Sequence, residues 1–183
     1  MPEFDDAWYE AWKQGMADWG GNIILALGLR PLALDPERAV LEMPMSGNVR
    51  QGTGVFAAGA LMQLADVGAT MVCQAAAGST SDDPKPFPLS IQISMNLLRN
   101  TDRGKATSES RIIHQGRTMT VVESKVHDDQ GRLLCIVTST HVAPAPRSSA
   151  GTSSSPPAPS PKPANTATSA RRGSPTLCRT ATA

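Results

Sequence analysis

The sequence predicts an α+β domain in which a curved antiparallel sheet wraps a long central helix, with an extra helix ahead of it. Three observations carry this expectation. Residues 55–77, VFAAGALMQLADVGATMVCQAAA, favour a helix and are apolar nearly all round, a pattern that calls for burial on every side. From Leu89 onward the period falls to two, with Leu89, Ile91, Ile93, Met95 and Leu97 on one face and Ser90, Gln92, Ser94 and Asn96 on the other. Short turn sequences then separate the remaining segments, as antiparallel hairpins require.

The elements follow in order. Asp5 or Asp6 is placed to cap a first helix, and Trp8, Trp12, Met16 and Trp19 fall near one of its faces. Gly20-Gly21 suits its end. That aromatic face serves either as a substrate wall or as a docking face toward the domain or a second subunit. Ile23 to Leu29 continues the helical region. Arg30 to Leu34 and Ala39 to Met45 read as strands joined by the turn Asp35-Pro36-Glu37-Arg38. A glycine-bearing loop, Ser46 to Gly54, leads into the long helix, roughly 30 Å at the helical rise. The strand from Leu89 comes next. Lys105 to His114, Arg117 to His127 and Arg132 to Val142 complete a meander through turns at Gln115-Gly116 and Asp128 to Gly131. The expected division is an N-terminal helical segment (1–30), the central domain (31–143) and a tail (144–183).

The tail is a different material. Pro, Ala, Ser and Thr make up 30 of its 40 residues, and it has neither an aromatic nor an acidic residue. Such a segment cannot bury enough surface to offset its ordering entropy, so disorder is expected.

Charge narrows the function classes. The 16 acidic and 12 basic residues before Pro144 leave that part at −4, and the 5 basic residues after it put the tail at +5. A mildly acidic body argues against nucleic acid as a partner. No run of 18 apolar residues exists to span a membrane, and MPEFDDAWYEAW is not a secretory signal. Cys73, Cys135 and Cys178 show no metal spacing. A cytoplasmic protein with no metal and no cofactor of its own is the expectation.

The stretch Gly54 to Asp66, G-V-F-A-A-G-A-L-M-Q-L-A-D, resembles the helix signature of the small acyl-CoA thioesterases of the PaaI type. In that family the helix opens with His-Gly-Gly and reaches Leu-Ala-Asp seven residues after the last Gly, an interval that Gly59 and Asp66 keep. PLSIQISMNLLRNTDRG resembles the strand that follows, with Asn100 where the family has Pro and Gly104 in place. IIHQGRTMTVVESKVHDDQGRLLCIVTST resembles the terminal hairpins, including the Gly116-Arg117 turn. The likeness covers about 110 residues. It implies a hotdog fold, paired protomers sharing one sheet, active sites at the dimer interface, and dimers or tetramers. It also implies that Asp66 is the catalytic carboxylate, as nucleophile or general base. Ala58 and Gly59 match the helix start, where a backbone N–H polarises the thioester carbonyl. Ser90 matches a residue that helps hold water, and Gln51 stands where Asn is frequent. Ala57 and Ala58 depart from the family by replacing its His-Gly.

The residues support this chemistry independently. A thioester needs a nucleophile and charge stabilisation at its oxygen. The N-terminal turn of the long helix, Phe56 to Gly59, would offer unpaired N–H groups. Asp66 lies roughly 10–13 Å further along the axis, too far to serve the same carbonyl within one chain. The spacing therefore asks for a site built from two chains. An acid inside an apolar helix is costly unless paired or functional, and either role is open to Asp66. Ser90 either orients water or is an outward-facing strand serine, and Gln51 is either a site residue or a loop residue. Arg99, His114 and Arg117 are candidates for the coenzyme's phosphates or are solvated turn residues. The leading expectation is acyl-CoA thioester hydrolysis, and the alternative is a non-catalytic acyl-CoA binding or regulatory protein. A hydratase ranks last, because no His lies near the helix start.

Overall fold

In the computed structural model the chain divides into Met1–Arg147 and Ser148–Ala183. The structure describes residues 3–18, 23–80, 83 and 85–143, all within the first unit. The expectations for Trp19, for Gly20-Gly21 and for the tail lie outside the described residues.

Nine elements form in the described part. They are α1 (Asp6–Asp18), α2 (Ile23–Ala26), β1 (Arg30–Leu34), β2 (Arg38–Pro44), α3 (Ala58–Ala76), β3 (Leu89–Leu97), β4 (Lys105–Gln115), β5 (Thr120–Asp128) and β6 (Leu133–Val142). Asp5 is the residue that caps α1, its Oδ1 accepting the Trp8 N–H at 2.8 Å. The β1–β2 turn is held by Asp35, whose carboxylate accepts the N–H groups of Glu37 and Arg38, each at 2.8 Å. At the β5–β6 turn the buried Asp128 accepts the N–H groups of Gln130 and Arg132 and the Arg132 guanidinium.

The six strands make one antiparallel sheet in the order β1-β2-β4-β5-β6-β3. The meander holds for β4, β5 and β6. Strand β3 departs from it. It pairs with β6 at the far edge, not with β4, so the β3–β4 link crosses from one side of the sheet to the other.

Helix α3 packs across the sheet, with Ala60, Leu61, Leu64, Ala65, Val67, Gly68, Ala69, Val72 and Cys73 buried. Leu29, Leu41, Met43, Phe56, Val122, Val126 and Leu134 join them in a single core. Full burial of each such Leu or Phe is worth about 1.5–3 kcal/mol. Burial on every side does not hold, however. Gln63, Asp66, Thr70 and Gln74 recur at helical spacing and stay half-exposed. They form a narrow polar stripe that the overall apolar composition of the segment conceals.

Close approach of α3 to the sheet depends on small residues. A Cβ built on Gly68 would lie 2.6 Å from Ser110 Oγ, and that hydroxyl bonds Ser124 Oγ at 2.7 Å. Gly68→Ala is therefore expected to destabilise the fold by about 1–3 kcal/mol through overpacking, and Ser110→Ala in the same chain should recover part of the loss. Urea unfolding of the single and double variants measures both effects.

Candidate active site

The polar stripe of α3 faces β3, and the two meet at one strong contact. Ser90 Oγ donates to Asp66 Oδ1 at 2.6 Å, a short bond of the kind a hydroxyl makes to an ionised carboxylate. The alternating pattern of β3 puts Ser90 on the face opposite Ile93 and Met95. The pairing with β6 reverses this. Ser90 pairs with His141 and Gln92 with Thr140, so Ile91 is an extra residue with no partner of its own. Such a bulge shifts the side-chain alternation by one. Ser90 then shares the inward face with Ile93 and Met95, whose partners Ser139 and Val137 are buried.

The same register brings in a residue outside the family signature. His141 is buried, 1% exposed. Its Nδ1 lies 3.4 Å from Ser90 Oγ, and its Nε2 lies 2.9 Å from Ser139 Oγ. Burial pushes its imidazole below the ordinary histidine range, and the Asp66 carboxylate opposes that shift in part. The β6 sequence is apolar on both alternating faces and gave no signal for His141; only its pairing with β3 puts it next to Ser90.

At the start of α3, Ala57 is the cap residue and makes no side-chain capping bond. The Phe56 and Ala57 N–H groups are already taken, by Thr101 O at 3.2 Å and Val49 O at 2.7 Å. The first intrahelical donor is Ala60, bonding Ala57 O at 3.0 Å. The amides available at the helix end are therefore those of Ala58 and Gly59, which narrows the expected Phe56-to-Gly59 set. Asn100, the residue in the family's Pro position, ties this turn to the end of β3 by donating from Nδ2 to Phe56 O at 2.8 Å.

Asp66 and Ser90 open onto a cavity of about 550 Å³, walled by Trp8, Trp12, Met16, Ile24, Met71 and Phe87 among others. The aromatic face of α1 is thus a cavity wall in this chain. Trp8 is stacked on Phe4, with ring centroids 3.7 Å apart, and Phe4 N–H bonds Leu32 O on β1 at 2.9 Å. A second hollow of about 590 Å³ is lined by Thr53, Asn100, Asp102, Arg103 and Arg132 among others. Its Arg103 and Arg132 already pair with Asp102 and Asp128, and neither Asp66 nor Ser90 reaches it. Of the two hollows, only the first is lined by Asp66 and Ser90.

The other expected site residues are dispersed. Gln51 is exposed in the loop before α3, its Nε2 bonding Thr53 Oγ1 at 3.0 Å. Arg99 follows the end of β3, where Nη1 reaches Leu133 O at 3.5 Å. His114 and Arg117 are exposed at the β4–β5 turn. The pairings Gln115–Thr120, Thr120–His141 and His141–Ser90 put that turn at the Ser90 end of the sheet, whereas Arg99 lies at the Leu97 end, roughly 20 Å of strand away. Within one chain these three residues do not converge. Cys73 and Cys135 are buried, and burial raises both thiols to about 11, so neither is a ready thiolate nucleophile.

A single helix laid across a curved antiparallel sheet is the hotdog fold. A sequence profile described as "Thioesterase superfamily" matches residues 53–135. An esterase-family protein of Pseudomonas aeruginosa is 30% identical over 110 residues, covering 60% of this chain and 73% of that one. A 1,4-dihydroxy-2-naphthoyl-CoA hydrolase of Listeria monocytogenes is 26% identical over 110 residues, 60% of this chain and 85% of that one. The crystal structure of a mutant thioesterase from Pseudomonas aeruginosa superposes with a TM-score of 0.63 at 26% identity, covering 73% of this chain and 94% of the other. The Escherichia coli PaaI protein shares the fold, with a TM-score of 0.60 at 19% identity over 74% of this chain and 94% of the other. The chain belongs to the thioesterase superfamily, whose general chemistry is thioester hydrolysis.

His141 also makes stability depend on pH. Its folded pKa is depressed, so the unfolded chain takes up a proton first as pH falls through the ordinary histidine value near 6.5. The stability it contributes is complete above that value and is lost progressively below it. Thermal unfolding of the wild-type chain between pH 7.5 and 5.5 is expected to fall more steeply than that of His141→Gln.

Proposed function

We propose that this protein hydrolyses the thioester of an acyl-coenzyme A to the free acid and CoA, with Asp66 as general base. The observation that carries the reading is the Asp66–Ser90 pair, which lines the apolar cavity with Ser90 exposed and Asp66 half-exposed. The Ser90 proton is committed to Asp66 Oδ1, which leaves Asp66 Oδ2 and a Ser90 lone pair to accept the two protons of one water. A water so held keeps an oxygen lone pair for the acyl carbon. As the C–O bond forms, a proton passes to Asp66 and the carbonyl oxygen takes up negative charge. The Ala58 and Gly59 amides at the positive end of α3 stabilise that charge. Collapse breaks the C–S bond, and the CoA thiolate leaves and is protonated. No step calls for a metal.

Ala58 and Asp66 are eight residues apart on one helix, about 12 Å along its axis, so we infer that each site takes Asp66 from one chain and the helix start from a second. Strand β3 supports such pairing. It is a sheet edge, and Leu89, Ile91 and Leu97 on it are 50%, 59% and 48% exposed, an apolar edge of the kind proteins cover. Arg99, His114 and Arg117, at opposite ends of one chain's sheet, remain candidates for the coenzyme's phosphates in a two-chain site.

Three expectations test this reading. Asp66→Ala should lower thiol release from acetyl-, hexanoyl-, palmitoyl- and benzoyl-CoA by about a thousandfold, with the oligomer retained in light scattering. Full turnover by that variant would remove Asp66 from the mechanism, whereas tight acyl-CoA binding without any thiol release by the wild type would make the chain a binding protein. Chelation with EDTA should leave the rate unchanged. A Cβ on Gly59 meets nothing within 4 Å in its own chain, so Gly59→Val should fold yet block the oxyanion amides. Mixing inactive Asp66→Ala and Gly59→Val chains should then restore about a quarter of wild-type activity, because half the sites of each heterodimer are intact; no recovery on exchange of chains contradicts the shared site.

A further inference from the structure

We propose that His141 is a positioning residue of this site, holding the Ser90 hydroxyl so that its single proton points at Asp66. The inference rests on the hydrolytic reading above and extends it to a residue on a different strand. The geometry fixes the direction of each bond. Ser90 Oγ is 2.6 Å from Asp66 Oδ1, and an ionised carboxylate only accepts, so Ser90 is the donor. Its remaining groups are lone pairs. His141 Nδ1, at 3.4 Å, must then carry the hydrogen that points toward Ser90. Nε2 is left as an acceptor, and Ser139 Oγ at 2.9 Å supplies its donor. The chain Ser139 to His141 to Ser90 to Asp66 thus runs in one direction, with a neutral imidazole at its centre.

That arrangement has a chemical consequence. A serine hydroxyl rotates freely unless something occupies its lone pairs. With His141 on one lone pair and Asp66 on the proton, the other lone pair has a defined direction, the one that receives the water's second proton. The imidazole touches neither water nor substrate in this arrangement. It acts through Ser90, which the β3 bulge has turned toward it. Burial favours the neutral ring, because a charged imidazole would need solvent or a full counter-ion in direct contact, and Asp66 reaches it only across Ser90.

The prediction separates positioning from mere packing. His141→Leu should lower kcat for the best of the four acyl-CoA substrates by roughly tenfold, with KM within about twofold. His141→Asn places an amide N–H near the position of Nδ1 and should recover most of that loss. In a Ser90→Ala background His141→Leu should add nothing, because the group it orients is gone. Unchanged kcat in a folded His141→Leu, additive losses in the double variant, or an Asn variant no better than Leu at equal thermal stability would each overturn the assignment. A second measurement does not depend on turnover. In the full chain labelled with ¹⁵N-histidine, the His141 ring should be the neutral Nδ1–H tautomer, and Ser90→Ala should shift its Nδ1 resonance. An Nε2–H tautomer, or an Nδ1 resonance indifferent to Ser90, overturns the proposal. A wild-type chain that hydrolyses none of the four thioesters overturns the hydrolytic reading instead, and the tautomer then decides whether His141 orients Ser90 at all.

Discussion

Helix α3 has one face that must leave water and another that must keep its polar groups, and the sheet satisfies both by lying close against the first. The contact depends on small side chains. Ala65, Gly68 and Ala69 are buried in the middle of the helix, and Gly68 stands opposite Ser110 with no space for a methyl group. Ser124, which shares a hydrogen bond with Ser110, also reaches Ala65 O at 3.4 Å. Buried serines are costly without partners, and these bond one another and the helix backbone. The close approach determines how deep α3 sits, and so how Asp66, on the opposite stripe, meets the strand at the edge of the sheet.

That edge strand carries the second constraint. Nine residues of β3 alternate as a regular strand would, yet one extra residue at Ile91 changes which of them face inward. The bulge costs a ladder position and leaves Ile91 largely exposed. In return Ser90 faces Asp66 and His141 together. Bulges recur where a side chain has to be re-aimed, and here the re-aimed group is the hydroxyl of Ser90, which bonds the candidate base. The exposed apolar edge and the helix-start amides, some 12 Å along the axis from Asp66, fit the same two-chain arrangement. A second copy would cover the first and supply the second.

Much of this was legible in the chain itself. Strands β1 and β2 with their Asp35 turn, the long helix, and the three strands β4 to β6 follow from periodicity and turn chemistry, which are local properties. Asp66 was legible as a candidate for a related reason, as the carboxylate of a segment that reads as apolar, although the fold places it on the half-exposed stripe, where an acid costs little. Its interval from Gly59 adds to this, and so does the axial distance that separates it from the helix start. What a residue contributes through its own backbone preference or its neighbours within a few positions is written locally.

Pairing between distant segments is not. Whether β3 lies beside β4 or beside β6 changes no local preference, so the crossover at the sheet edge was decided only by the packed fold. The Ile91 bulge is a property of two strands in register, and without it Ser90 reads as an outward serine. His141 sits 51 residues from Ser90, and nothing in the pattern around either residue names the other. The sequence by itself thus determined the central helix, its carboxylate and the class of chemistry. Tertiary structure decided which hydroxyl stands beside that carboxylate and which imidazole stands behind the hydroxyl, because hydrogen-bond register and helix depth exist only once the sheet has closed around the helix.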